Sequence, residues 1–220
     1  METEGDMSKD VNRIAEEVGL VPVVVIDDAA DAVPAAEALK VGGVPIMEIT
    51  LRTAAGPDAI EKVAKEVPDI LVGAGTVLSV KMAEDAISRG AGFVVLPGFD
   101  AEIVSFCVGR GVPVFPGCVT PTEIMAAMSF GLKVLKFFPA NVYGGVKAIK
   151  ALSGPFPDIR FMPTGGADNS NLKDFVIPQV LAVGGGWLCP RGDIKEKRFE
   201  AITEVCAEAV QIIKAARSGS

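Results

Sequence analysis

The chain has no histidine among its 220 residues. That absence removes Ser-His-Asp and Cys-His nucleophilic catalysis, imidazole general bases and zinc sites built on imidazole. Acid–base chemistry is left to Glu, Asp, Lys, Cys and the single tyrosine. The four cysteines, Cys107, Cys118, Cys189 and Cys206, are scattered and form no CxxC pair. Long apolar runs are missing too: Leu20–Ile26 spans about 7 residues before Asp27 and Asp28, against about 18 for a bilayer crossing. The opening METEGDMSKD is acidic and polar, unlike a secretory or transit peptide. Basic charge is in deficit, with 21 Lys and Arg against 28 Asp and Glu, so no nucleic-acid footprint is expected. These absences together lead us to expect a soluble cytoplasmic protein with reduced thiols and neither a membrane nor a nucleic-acid partner.

What remains is ordinary globular composition, 50% hydrophobic and 22% charged. Nothing breaks the composition into parts, so one domain over residues 1–220 is expected, with 1–6 and 217–220 as flexible ends. Short apolar, β-branched runs alternate with Ala-, Glu- and Lys-rich segments of helical period. The runs are Val21–Ile26, Pro45–Thr50, Ile70–Gly73, Phe93–Leu96, Val112–Phe115, Val134–Phe138, Arg160–Met162 and Val180–Val183. They read as buried parallel strands. Helices are expected near 7–18, 31–41, 56–67, 79–89, 100–110, 121–130, 145–153, 169–177 and 195–216. Thr120-Pro121-Thr122-Glu123 carries the N-cap, first-turn proline and closing glutamate of a helix start. Eight strand–helix units suit a compact (β/α)8 TIM barrel with an extra N-terminal helix, a fold of about 250 residues. The competing doubly wound sheet wants a Gly-rich turn after its first strand, and Ile26-Asp27-Asp28-Ala29 has none.

Charges inside strands carry the chemistry. In Val134-Leu135-Lys136-Phe137-Phe138, alternation puts Lys136 and Phe138 on one face. Burial among apolar groups disfavours an ammonium ion, and a neutral lysine amine is the nucleophile for imine formation with a carbonyl. A snorkelling or purely paired lysine is the structural alternative. In Glu48-Ile49-Thr50-Leu51-Arg52 the polar residues again share one face. Glu48 is a candidate general acid or base, and Arg52 a fork for a substrate carboxylate. A Glu48–Arg52 salt bridge is the structural alternative. Glycines cluster at strand ends in Gly73-Ala74-Gly75-Thr76, Thr164-Gly165-Gly166 and Gly184-Gly185-Gly186-Trp187. In barrels the loops after strands seven and eight commonly bind phosphate, which glycines let the backbone approach. Tight turns are the alternative. Cys118 reads as a small buried residue, Tyr143 as a loop residue near Lys136, and Lys147 and Lys150 as a solvated helix face.

Glu48-Ile49-Thr50-Leu51-Arg52-Thr53, Gly73-Ala74-Gly75-Thr76-Val77, Lys136-Phe137-Phe138-Pro139-Ala140 and Phe161-Met162-Pro163-Thr164-Gly165-Gly166 resemble the 2-dehydro-3-deoxy-phosphogluconate (KDPG) aldolases. Val33-Pro34 and Gly154-Pro155-Phe156 fit the same pattern, and the likeness runs from about Val21 to Pro190. The resemblance implies a homotrimeric class I aldolase that works without metal or other cofactor on a small 2-oxo acid. Lys136 would form the imine and Glu48 would shuttle protons. Arg52 and Thr76 would hold the pyruvyl carboxylate, and Pro97 and Phe138 would wall the pocket. Thr164, Gly165, Gly166, Gly185 and Gly186 would complete the substrate site at its phosphate end. Related substrates stay open: 4-hydroxy-2-oxoglutarate (KHG) and 2-dehydro-3-deoxy-6-phosphogalactonate. A silent phosphosugar-binding barrel is the remote alternative. One departure stands out: members of the family often carry Ser where this chain has Gly186, so a hydroxyl donor to phosphate is missing.

Overall fold

The computed structural model describes residues 7–219. The expected flexible residues 1–6 and Ser220 lie outside the described residues. The chain is an α/β fold of parallel strands alternating with helices. In order these are α1 (Met7–Val18), β1 (Leu20–Val24), α2 (Ala32–Val41), β2 (Ile46–Thr50), α3 (Gly56–Glu66), β3 (Leu71–Gly75), α4 (Val80–Ser88) and β4 (Val94–Val95). Then come α5 (Ala101–Gly109), β5 (Val114–Phe115), α6 (Pro121–Ser129), β6 (Val134–Phe137), α7 (Gly145–Ser153), β7 (Arg160–Pro163), β8 (Val183–Gly185), α8 (Arg191–Lys195) and α9 (Phe199–Ser218).

Six strands form one curled parallel sheet in the order β5-β4-β3-β2-β1-β8, and β6 pairs with β7 in a second. Isolated parallel bridges join the two: Gly117 to Lys136 on one side, Thr164 to Gly184 and Phe161 to Val180 on the other. Every residue of β2 is buried, the mark of a parallel strand covered on both faces. Between β2 and β3 the register pairs Glu48 with Gly73 and Thr50 with Gly75. Side-chain caps start the helices as the sequence leads one to expect. Thr120 accepts from the Glu123 N–H, and the Glu123 carboxylate accepts from the Thr120 N–H at 2.9 Å. Ser79 and Asp100 cap α4 and α5 in the same way, accepting from Met82 and Ile103.

Three expected elements differ. The eighth strand lies at Val183–Gly185, not Val180–Val183, so two glycines expected to follow it are inside it. A methyl group at Gly184 would strike the Thr164 hydroxyl, and one at Gly185 would strike the Trp187 ring. Close approach, rather than strand propensity, put glycine there. The helix expected at 169–177 is only a 3-10 turn, Leu172–Phe175. The Asp168 carboxylate accepts from the Ser170 N–H and the Asn171 side chain from the Asp168 N–H, local bonds that compete with a helical start. The helix expected at 195–216 is two, α8 and α9, separated at Lys197 with φ of 58°. Arg217 and Ser218, expected to be flexible, complete α9.

Candidate active site

The centre of the site is a buried pair contributed by strands far apart in sequence. Lys136 Nζ on β6 donates to Glu48 Oε1 on β2 across 3.5 Å. The two residues are only 3% and 2% exposed. An isolated charge this deep would cost several kcal/mol, roughly, in lost hydration, and opposite charges side by side offset that cost only in part. Among the described residues neither side chain has another hydrogen bond. The contact is long, so both groups keep capacity to bond something else. Lys136 Nζ also lies 5.2 Å from the centroid of the Phe138 ring, which is half-buried.

Neighbouring backbone makes room for this pair. A methyl group at Gly75 would run into the Glu48 carboxylate, so glycine at this register position gives the acid its space. Thr50 shares the Glu48 face of β2, and its hydroxyl is fully buried with no hydrogen-bond partner among the described residues. The strand pattern already grouped Thr50 with Glu48; what sequence could not show was that its hydroxyl stands unpaired.

Arg52 corrects one expectation. β2 ends at Thr50, so Arg52 sits in the following turn, exposed, and is no longer bound by strand alternation. Its Nε donates to Thr76 Oγ1 at 3.0 Å, just past the end of β3. The Glu48–Arg52 salt bridge is absent among the described residues, because Glu48 is turned to Lys136. Pro97 follows β4, and its carbonyl packs so closely on Gly117 that no side chain fits there. Gly117 is the residue that bridges to Lys136.

The remaining residues lie where β7 and β8 end. Thr164 is buried, its N–H donating to the Phe137 carbonyl at 2.9 Å. Gly165 and Gly166 take φ of 97° and 82°, a region glycine enters without penalty. Gly185 lies in β8 under the Trp187 ring, while Gly186 is exposed at the start of a 3-10 turn. A side chain at Gly186 would find no atom nearer than the Val23 carbonyl oxygen at 3.5 Å. No local pattern in the sequence marks Asn169. Its amide bonds the Trp187 indole N–H at 2.9 Å, a pairing visible only once the two loops are in space.

The other candidates stay quiet. Cys118 is buried, and burial first, with the Glu123 charge second, pushes its thiol up to about 12. Burial likewise pushes Cys107 up to about 11 and Cys206 to about 12. Tyr143, Lys147 and Lys150 are exposed. Among the described residues no cluster of three or more His, Cys, Asp or Glu side chains could hold a metal ion. No helix there is long and apolar enough to cross a membrane.

Comparison with known proteins identifies relatives of the whole chain. The family "KDPG and KHG aldolase" matches residues 11–205. The chain is 44% identical to the 2-dehydro-3-deoxy-phosphogluconate aldolase of Treponema pallidum, over 90% of this chain and 95% of that one. It is 42% identical to the KHG/KDPG aldolase of Escherichia coli, over 87% and 91%. Its structure is similar to KDPG aldolase from Legionella pneumophila with pyruvate captured as a covalent carbinolamine. The TM-score is 0.87 at 37% identity, covering 90% of this chain and 97% of that one.

Proposed function

The chain belongs to the KDPG and KHG aldolase family, and on that premise we propose that it is a class I aldolase whose imine forms on Lys136. Its substrate is 2-dehydro-3-deoxy-6-phosphogluconate, and its products are pyruvate and glyceraldehyde 3-phosphate. The buried Lys136–Glu48 pair carries this reading. It sets an amine beside a carboxylate, both with hydrogen-bonding capacity unused among the described residues, as nucleophile and proton carrier.

The Lys136 amine adds to the C2 ketone to give a carbinolamine. Glu48 carries the protons that let the C2 oxygen leave as water, and an iminium remains. Glu48 then takes the proton from the C4 hydroxyl. The C4–O bond becomes a carbonyl, the C3–C4 bond breaks, and its electron pair flows into the iminium to give an enamine. The aldehyde departs. Protonation of the enamine at C3 and addition of water at C2 release pyruvate and restore the amine.

Arg52, ordered by its bond to Thr76, forks the pyruvyl carboxylate. Pro97 and Phe138 wall the pocket. Thr164, with the backbone N–H groups of Gly165, Gly166, Gly185 and Gly186, forms the phosphate end. The bridges that tie β5 to β6 and β7 to β8 support reading the two sheets as one closed (β/α)8 barrel, a single domain. Exposed Val108, Met125 and Met128, 45%, 63% and 43% exposed on α5 and α6, support a homotrimer. Reduced, buried thiols support a cytoplasmic setting.

Incubation with pyruvate, borohydride reduction and mass mapping test the imine. A reduced pyruvate adduct on Lys136 is expected; an unmodified Lys136 sinks the mechanism. One observation favours a second substrate, 4-hydroxy-2-oxoglutarate: Gly186 supplies no side-chain donor to a phosphate.

A further inference from the structure

The two glycine turns at the ends of β7 and β8 are joined by a side-chain clamp that no step above uses. Trp187 lies in the 3-10 turn that follows β8, directly after Gly186. Its ring lies over Gly185, filling the space a methyl group there would need. Its indole N–H donates to Asn169 Oδ1 at 2.9 Å. Asn169 belongs to the loop that continues from Gly165 and Gly166. Its amide nitrogen donates in turn to Glu208 Oε2 at 2.8 Å and to the Val205 carbonyl at 3.3 Å, both on α9. The asparagine thus uses both ends of its amide, acceptor toward one turn and donor toward a helix. Nearby, Asn171 donates to the Gly166 carbonyl at 2.9 Å, which pins the same loop from within.

The physical need for such a clamp is plain. Backbone N–H groups bind a tetrahedral anion well only when held at fixed positions, and glycine is the residue least able to hold itself. Gly165 and Gly166 belong to the loop after β7, while Gly185 ends β8 and Gly186 opens the loop after it. The Thr164–Gly184 bridge joins these loops only at their bases. Trp187 and Asn169 join them again beyond those bases and anchor both to α9.

We propose that Trp187 and Asn169 are positioning residues that make the enzyme selective for substrates carrying a distal phosphate, by fixing the separation of the two glycine turns. The proposal rests on the reading that those glycines meet the phosphate. Neither residue takes part in imine formation, so the effect is confined to recognition of the far end of the substrate.

The test compares cleavage of 2-dehydro-3-deoxy-6-phosphogluconate with cleavage of unphosphorylated 4-hydroxy-2-oxoglutarate. The variants are Trp187→Phe, which keeps a ring over Gly185 and removes only the N–H, and Asn169→Ala. Loss of one hydrogen bond predicts a KM for the phosphorylated substrate raised about three- to tenfold. The kinetic constants for the unphosphorylated substrate and the yield of borohydride-trapped pyruvate adduct should stay within about twofold of wild type, less than one hydrogen bond is worth. Equal losses on both substrates would mean a merely structural role, and no change on either would mean no role; both results overturn the proposal. If Asn169→Ala fails to fold, Trp187→Phe decides alone. Should the wild-type enzyme itself show no preference for the phosphorylated substrate, the phosphate reading fails first. That failure shows before any variant is made, and the clamp proposal falls with it.

Discussion

The two ends of the strands treat charge in opposite ways. At the N-terminal ends a cavity of about 460 Å³ lies among Phe175, Val176, Ile177 and Leu181, with Arg160 and Arg217 on its wall. Both arginines there are engaged with structure. Arg217 donates to the Glu17 and Glu16 carbonyls at 2.8 and 2.6 Å, closing the last turn of α1. Arg160 pairs with Glu16 at 2.8 Å and donates to the Val180 carbonyl at 3.2 Å, its buried Nε alone finding no partner among the described residues. Further along the strands, Lys136 and Glu48 are buried almost completely and share one long contact. Cations whose hydrogen bonds go to neighbouring backbone and carboxylate hold structure together. A buried amine and carboxylate with capacity left over are equipped to react with what enters between them.

The comparison can be broken most severely at Lys136. Lys136→Met keeps most of the length of the side chain but removes the nucleophile, and kcat should fall on the order of 10⁴-fold or more. Steady-state cleavage assays and the loss of the borohydride adduct read this. Glu48→Gln comes next: it retains the shape and loses the proton carrier, so kcat should fall about 10²- to 10⁴-fold. A third variant sharpens the contrast by adding rather than removing. Gly186→Ser has room for its side chain and restores a donor, so KM for the phosphorylated substrate should fall about tenfold or more, the value of a hydrogen bond to a charged group. At the opposite end, Arg217→Ala should leave kcat unchanged and lower the unfolding free energy by about 1 kcal/mol in urea titration. A kcat that moved with Arg217 would erase the distinction between the two ends.

The smallest effect belongs to the Glu123 cap of α6. Burial works to raise its carboxyl, but bonds from the Val119 N–H and from the Thr120 hydroxyl and N–H outweigh it, so the folded value lies below the ordinary one. A depressed folded value means a stabilisation present above the unfolded value, about 4.3, and lost as pH falls through the lower folded value. Glu123→Gln should therefore cost about 0.5 kcal/mol at neutral pH and progressively less in acid. Denaturation curves at pH 7 and pH 3 check it.

Much of this was legible in the sequence. The alternation of short apolar runs with amphipathic segments located the strands and most helices, because burial imposes a period on each. Lys136 and Glu48 stood out because a charge in a wholly buried strand is costly and calls for a reason. The differences from the local pattern share a cause. β8 lies beyond its apolar run because Gly184 and Gly185 make room for Thr164 and Trp187, neighbours that strand propensity cannot register. The 169–177 segment forms only a 3-10 turn because the side chains of Asp168 and Asn171 capture local backbone N–H groups, and its Asn, Ser and Asp residues favour such bonds over a helix. Arg52 left the face of Glu48 because β2 stops two residues earlier.

The sequence alone determined which residues are apolar, where the chain turns, and which few charges sit inside strands. It also carried the motifs that assign the family, because each lies within one strand and the turn after it. Only the tertiary structure decided which charge meets which. Lys136 and Glu48 are 88 residues apart and could each have found another partner. Glu48 turned from Arg52 to Lys136 because Gly75 leaves its carboxylate room on the shared face of the sheet. Side-chain pairing across strands depends on register and on missing atoms in third residues, and neither is written in the local pattern of either strand.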